Sequence, residues 1–428
     1  MTRPLLEPNR VEAAARAQRE LGLCDACLGR RFAKIETGLT NTQRGEIVRD
    51  EAAAARVATA DCFVCRGLLA ELDSFAEAAI DALSPYDHRN FLVGTRVDPT
   101  VEAREAEVNA LLGTAESCER IQSELNREVG KRVNARTGKS VEFKQPDIAV
   151  VVDTRFLDAE LQFGGLFVFG RYRKLARDIP QTKWPCRRCG GRGCVQCGKT
   201  GKQYPTSVEE LVAAPFLAAT GATQESFHGA GREDIDARTL GTGRPFILEL
   251  KDPRDRALDL ARFPTLVREH SGGRVEVDSL RFAQKAEVAY IKEHRGSKEY
   301  RAAVAFDRSL SLAELTTAVD AIRGKTLEQR TPERVQHRRA DLVRERRVID
   351  IVIEAHEGAT ATLRIKGDAG LYIKELVSGD EGRTQPSLAG LLGVGAKVTE
   401  LDIIAVEYEA PTPTLPSPAA GRDDATTR

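Results

Sequence analysis

No stretch of this chain approaches the roughly 18–20 uninterrupted apolar residues that a membrane-spanning helix needs. The opening residues, Met1 to Arg10, carry charges and prolines where a signal peptide would place an apolar run. These two absences argue against a membrane or secreted protein and predict a cytoplasmic one. Net charge is absent too, since 64 lysines and arginines face 64 aspartates and glutamates. The field of the whole molecule therefore gives no reason to bind polyanions, and any nucleic-acid contact has to come from local basic patches. Internal repeats are missing as well. What is there is a 428-residue chain, 41% hydrophobic, long enough for two or three domains with cores of their own.

Cysteine says more. Eight of the nine cysteines fall into four C-x-x-C pairs, Cys24/Cys27, Cys62/Cys65, Cys186/Cys189 and Cys194/Cys197. In a reducing compartment this spacing points to structural zinc before disulfides. Two separated pairs complete a tetrahedral thiolate site, which closes the metal off from catalysis and ties two chain segments together. Cys24, Cys27, Cys62 and Cys65 make the first such set, with the 34 residues between Cys27 and Cys62 as a folded excursion. Cys186, Cys189, Cys194 and Cys197 make a second, a strained knuckle with only Gly-Gly-Arg-Gly between its pairs. Surface thiols are the alternative for both sets. A redox role is weaker, because no thioredoxin-like strand–helix context surrounds any pair. Cys118, left alone, is expected to be a small buried hydrophobe.

The hydrophobic pattern predicts helices over 11–21 and 68–83, with an alanine-rich amphipathic stretch over 42–59. Strand and helix then alternate, with strands at 91–97, 147–152 and 166–172 and a helix over 108–133. Residues 184–202 have no room for regular structure and mark a domain boundary. Ser207, with Glu210 three residues on, announces a helix over 206–219. Beyond it, strands at 246–251, 275–284, 300–306, 348–356 and 361–365 accompany two helices, 312–323 and 372–378. The expected fold is α+β: a cysteine-pair region over 1–70, an α/β accessory domain over 71–204, and a catalytic domain on a mixed or antiparallel sheet over 205–410. The proline- and threonine-rich tail, 411–428, should be disordered.

Chemistry is concentrated in residues 227–246, F-H-G-A-G-R-E-D-I-D-A-R-T-L-G-T-G-R-P-F. As an irregular loop between a helix and a strand, its glycines would let the backbone approach a ligand while neighbouring acids and arginines set each other's ionisation. For G-R-x-D alone, a surface turn with weak ion pairs explains as much. The whole string, however, resembles the aspartate loop of the archaeal tRNA pseudouridine 54/55 synthase family. Other strings resemble that family in the same order: K-E-Y-R-A at 298–302, Q-R-T-P-E-R-V-Q-H-R-R-A-D at 329–341 and G-L-Y-I-K-E-L-V-S-G-D-E-G-R-T-Q-P-S-L at 370–388. Upstream, C-x-x-C-L-G-R at 24–30 and T-G-K-x-Y at 200–204 also fit.

The resemblance implies an isomerase that converts uridine to pseudouridine at position 54, position 55 or both in the T-loop of tRNA, without a cofactor for catalysis and with no protein partner implied. It implies that Asp234 is the catalytic aspartate, acting at the ribose C1′ or 2′ position so that uracil detaches, turns and reattaches through C5. Arg232 matches the loop arginine that helps extrude the target nucleotide. Tyr300 matches the tyrosine that packs on the target base, Tyr372 a second substrate-contacting tyrosine, and Lys374 the cation that pairs with the aspartate. A THUMP-containing region that holds tRNA falls in the accessory domain. Asp236, two residues past Asp234, is expected to brace the loop against Arg238 or Arg244. Two basic runs suit RNA: Arg330 to Arg347, and Arg171, Arg173, Lys174, Arg177, Lys183, Arg187, Arg188 and Arg192 with Tyr172 and Trp184 interleaved. The alternative from another class is a non-catalytic, zinc-containing tRNA-binding module, which keeps the cysteines and basic runs but has no need of Asp234.

Overall fold

The computed structural model describes residues 4–338, 340–409 and 411, so the expected disordered tail lies outside the described residues save for Pro411. The chain divides into two compact units, Met1–Gly165 with Lys251–Ala257, and Leu166–Leu250 with Leu258–Arg428.

In the first unit, α1 (Pro8–Glu20), α2 (Asp25–Arg30) and α3 (Asn41–Glu51) surround the first cysteine set. Helix α3 begins at a capping box in which Thr40 and Gln43 satisfy each other's backbone amides. Helices α2 and α3 cross with their backbones in contact, because a Cβ on Gly29 would fall 1.9 Å from the Asn41 carbonyl and one on Gly45 1.8 Å from that of Asp25. Next come α4 (Leu72–Leu83), β1 (Asn90–Arg96), α5 (Pro99–Leu112), α6 (Ile121–Thr137), β2 (Ser140–Val141), β3 (Ile148–Asp153) and β4 (Asp158–Phe163). The sheet runs β2-β1-β3-β4, with β1 parallel to β2 and β3, and β4 antiparallel to β3. The single helix expected over 108–133 is two. Gly113 takes φ +61° and caps α5 in the left-handed region, and the chain restarts at Ile121. Arg30 ties α2 to both, pairing with Glu105 of α5 at 3.1 Å and Glu124 of α6 at 2.8 Å, all three buried. One hydrophobic core, from Leu5 to Val152, serves both the cysteine region and this sheet.

The second unit holds β5 (Leu166–Lys174), α7 (Val208–Thr220), β6 (Gln224–Gly229), β7 (Arg238–Lys251), α8 (Phe263–His270), β8 (Val275–Ala283), α9 (Lys285–Glu293) and β9 (Lys298–Phe306). It continues through α10 (Leu312–Ile322), β10 (Thr326–Arg330), β11 (Val343–Glu357), β12 (Thr360–Gly367), α11 (Ile373–Ser378), β13 (Thr384–Gln385), α12 (Leu388–Leu392) and β14 (Ala396–Val406). Ten strands form one sheet in the order β13-β10-β11-β12-β9-β14-β7-β5-β8, with β6 added on β7. Strands β7 and β14 pair in parallel, and every other pairing on that path is antiparallel. The fold is α+β, as expected, and three details differ. Strand β5 and the cysteine-rich segment, read with the accessory domain, lie in this unit. Among the described residues this unit holds six α-helices, α7 to α12, where three were expected. Residues 227–246 are not loop throughout, since β6 ends at Gly229 and β7 begins at Arg238, leaving only 230–237 irregular. Among the described residues no helix is long and apolar enough to cross a membrane.

Candidate active site

The 230–237 loop enters the sheet where β7 meets β14, and buried side chains fix its backbone. Lys174, fully buried at the end of β5, donates to the carbonyls of Ile179 at 2.9 Å, Asp234 at 3.2 Å and Ile235 at 2.8 Å. Burial outweighs the pull of Glu233, Asp236 and Asp234 and brings its amine down to about 8. Tyr172 Oη, also buried, donates to the Glu233 carboxylate at 2.8 Å, and Arg244 pairs with the same carboxylate at 2.9 Å while donating to the Ala230 carbonyl at 2.8 Å. Gln181 closes this cluster, donating to Tyr172 Oη at 2.8 Å and to the Gly231 carbonyl at 2.9 Å. Glu233 is thus spent on the interior. Its neighbour Asp234 instead lines a cavity of about 570 Å³, a size suited to a small-molecule-sized group.

Two cations from distant parts of the chain reach the Asp234 carboxylate, Arg334 Nη1 at 2.8 Å and Lys374 Nζ at 3.6 Å. Arg334, on the short turn Glu333–Arg338, is itself held by buried Glu375 at 2.6 Å. Burial works to lower its affinity for protons, and the carboxylates of Glu375 and Asp234 more than reverse that. The expected pair of Lys374 with Asp234 is present, but it is the shortest contact of neither residue, and the partners of Asp236 differ from expectation. Lys374 makes its short contact, 2.7 Å, with Asp236, whose carboxyl it holds below the usual range against the opposing effect of burial. Arg238 goes to Asp402 at 2.7 Å, and Arg244 to Glu233. Arg244 is buried beneath the loop with Glu233, and Asp402 sits opposite Arg238 in the β7–β14 register, so neither arginine turns to Asp236.

The cavity walls carry the aromatic residues. Tyr300 on β9 is 8% exposed, and burial pushes its hydroxyl up to about 12. Tyr372 caps α11, with its amide donating to Gln329 Oε1 at 2.9 Å and its carbonyl accepting from Gln329 Nε2 at 3.0 Å. Trp184 and Tyr204 meet edge to face at 5.5 Å, and the Arg232 guanidinium lies over the Trp184 ring at 4.9 Å. Asp234, Arg232, Lys374, Tyr300 and Tyr372 all line one cavity, joined by Arg334, Lys298, Trp184 and Tyr204. Arg334 lies 100 residues from Asp234 and showed in the sequence only as one arginine of a basic run. Lys298 opens the K-E-Y-R-A string, in which Tyr300 is the residue that matches the family's base-packing tyrosine.

The sulfurs of Cys24, Cys27, Cys62 and Cys65 lie within 4.8 Å of one another, as do those of Cys186, Cys189, Cys194 and Cys197. Separations of 3.8 Å in the first set and 3.7–4.0 Å in the second match the edge of a tetrahedron built on Zn–S bonds of about 2.3 Å. Either set can hold a metal ion. Gly190, Gly191, Gly193 and Gly198, all at positive φ, relieve the tightness of the knuckle. Amides of Cys194 and Gly201 donate to Cys197 Sγ at 3.2 and 3.3 Å. Across the base of this knuckle Pro185 bridges to Lys202 and the Gln203 amide donates to the Trp184 carbonyl at 2.8 Å, which sets Trp184 and Tyr204 at the cavity. Cys118, expected in the core, is half-buried and donates to the Ala115 carbonyl.

The basic run at 171–192 is only partly a surface for phosphates. Lys174 and Tyr172 are interior, Arg173 pairs with Glu276 and Asp278, Arg177 with Glu400 and Asp402, and Arg171 donates to backbone carbonyls. Arg187, Arg188 and Arg192, on the knuckle, are exposed. The period-2 pleat explains the split, because β5 lies inside the sheet and its charges have to be answered by neighbouring strands.

Comparison with known proteins decides the family. Residues 167–407 match the family described as Pus10, C-terminal, and residues 75–153 match the archaeal Pus10 THUMP domain. The chain belongs to the Pus10 family. It is similar to the tRNA pseudouridine synthase Pus10 of Halorubrum lacusprofundi, at 46% identity over 93% of this chain and 96% of the relative. It is also similar to those of Methanothrix thermoacetophila, at 41% over 92% and 94%, and of Methanothermobacter marburgensis, at 43% over 90% and 95%. The Pus10 C-terminal match covers β5 to β14 and every residue of the cavity, and the THUMP match falls on α4 to β3 of the first unit.

Proposed function

We propose that this chain is a cytoplasmic tRNA pseudouridine synthase that isomerises uridine at position 54, position 55 or both in the T-loop, with Asp234 as its catalytic carboxylate. The observation that carries the reading is the Asp234 carboxylate in a cavity with buried Tyr300, held by Arg334 at 2.8 Å. A uridine inside folded RNA has to leave its stack, at a cost of a few kcal/mol, and aromatic faces recover about 1–3 kcal/mol per base. Tyr300 and Tyr372 offer those faces. Asp234 then acts at the ribose C1′ or 2′ position, the C1′–N1 bond breaks with its electron pair leaving on uracil, the uracil turns, and C1′–C5 forms as the bond from Asp234 to C1′ breaks or the 2′ proton is returned. Arg334 and Lys374 fix the direction of the carboxylate, and Arg232 exchanges Trp184 for RNA as the nucleotide comes out. Zinc in one or both cysteine sets is structural, bracing the first unit and the knuckle beside Trp184. The THUMP-containing unit contributes tRNA binding, and the chemistry belongs to the second unit.

The test is incubation of unmodified tRNA transcript with the protein, followed by carbodiimide treatment and primer-extension mapping at both T-loop positions. Pseudouridine from the parent and none from Asp234→Asn is the expected result. Binding without product by the parent would make the chain a tRNA-binding module instead.

A further inference from the structure

The cations around Asp234 are nearly all engaged. Arg334 holds Glu375 and Asp234, Lys374 holds Asp236, Arg244 holds Glu233, and Lys174 holds three carbonyls. Lys298 is different. Among the described residues its amine makes no hydrogen bond and no ion pair, although it lines the same cavity. It stands on β9 two residues before Tyr300, so both side chains project from one face of the strand. The Asp234 loop passes beside it. Gly231, at φ +80°, passes so near that a Cβ there would fall 2.7 Å from Lys298 Nζ. The glycine of G-R-E-D therefore lies directly against this amine.

The charged and titratable groups facing Lys298 are Arg244 on β7, Glu233 on the loop, Arg295 on the turn before β9, and Tyr300 beside it. Burial first, and then the like charge of Arg244, outweigh Glu233 and bring the amine down to about 7. A group of that kind exchanges protons near neutral pH.

The isomerisation requires such an exchange. Once C1′–C5 has formed, C5 still carries its hydrogen while N1 carries none. Loss of the C5 proton forms the C5–C6 double bond with the freed pair, returns the C6–N1 double bond to a single bond as its pair moves to N1, and leaves N1 to take a proton, so composition is unchanged. The Tyr300 hydroxyl, near 12, is poorly matched to accept it. We propose that Lys298 is the acid–base residue of this second half-reaction, its neutral amine accepting the C5 proton and its ammonium returning one to N1. The inference rests on the reading of Asp234 given above.

The experiment uses the full chain and tRNA transcripts carrying hydrogen or deuterium at C5 of uridine, under single turnover. Lys298→Met removes the amine at similar length, and Lys298→Arg keeps a charge that does not titrate near neutrality. Both should melt and bind transcript as the parent does, yet form pseudouridine about 100-fold more slowly or worse. Deuterium should slow Lys298→Met severalfold at every pH, and the parent only below about 7, where little neutral amine remains. The parent's rate should rise with pH through about 7 and level off, a limb that both variants should lack. Parent-like rates in either variant would overturn the proposal, as would a slow Lys298→Met with weakened binding and no isotope sensitivity, which would mark Lys298 as an RNA-binding cation. If the parent itself forms no pseudouridine, the reading of Asp234 fails before Lys298 is tested.

Discussion

Asp234 and Asp236 stand two positions apart and answer to different partners. Arg334 bonds Asp234 at 2.8 Å, whereas Lys374 sits 2.7 Å from Asp236 and 3.6 Å from Asp234. If Asp234 reacts, the residue that aims it is Arg334. Arg334→Gln is expected to lower the single-turnover rate about 10- to 100-fold, the equivalent of the roughly 1.5–3 kcal/mol carried by a hydrogen bond to a charged group. Asp236→Asn should cost less than Arg334→Gln, because it loosens Lys374 and leaves the reacting carboxylate in place. Rapid-quench pseudouridine assays on the two variants would reverse this assignment if their order were inverted. That Asp234 belongs to a site could be read from the sequence because its string is local, and it does line the cavity. Its counterion could not, because a contact between residues 234 and 334 is made by the fold and leaves no spacing signal.

At the scale of elements, the Asp234 loop is held by the end of β5. Lys174→Met would orphan up to three buried carbonyls at about 1–3 kcal/mol each, and should lower the melting temperature by several degrees as well as the rate. The effect has a pH signature. Lys174 is protonated below about 8 in the folded chain and below about 10.4 when unfolded, so between those values the unfolded state binds more protons. Parent stability should then climb with pH across that window relative to Lys174→Met, as denaturant melts at about pH 7 and about pH 9.5 would detect. Strands were readable where alternation is clean, as in β9 and β12. The break between α5 and α6 was missed although Gly113 signals it, because apolar residues recur on both sides. Arg173 on β5 and Arg177 just past it read as surface because their acid partners lie on β8 and β14, far along the chain.

The whole molecule is neutral, so its grip on RNA must depend on which basic side chains remain uncommitted. Arg187→Ala with Arg188→Ala should weaken tRNA binding and reduce the slope of log affinity against log salt by about 1–2, roughly one for each phosphate no longer neutralised. Arg173→Ala, which removes a side chain already paired to Glu276 and Asp278, should leave that slope unchanged. Filter binding over a salt series distinguishes the two. Elemental analysis of the purified chain should find two zinc atoms, one for each cysteine set. Loss of the second should disturb Trp184, whose backbone is tied to the base of the knuckle.

That indole is the only one in the chain, and it lines the Asp234 cavity beneath a guanidinium. Its ultraviolet emission is consequently an unlabelled optical gauge of a single location. A nucleotide that lifts Arg232 away, or a chelator that slackens the knuckle, should each change its colour or brightness, so capture of RNA can be timed separately from the bond-making that follows.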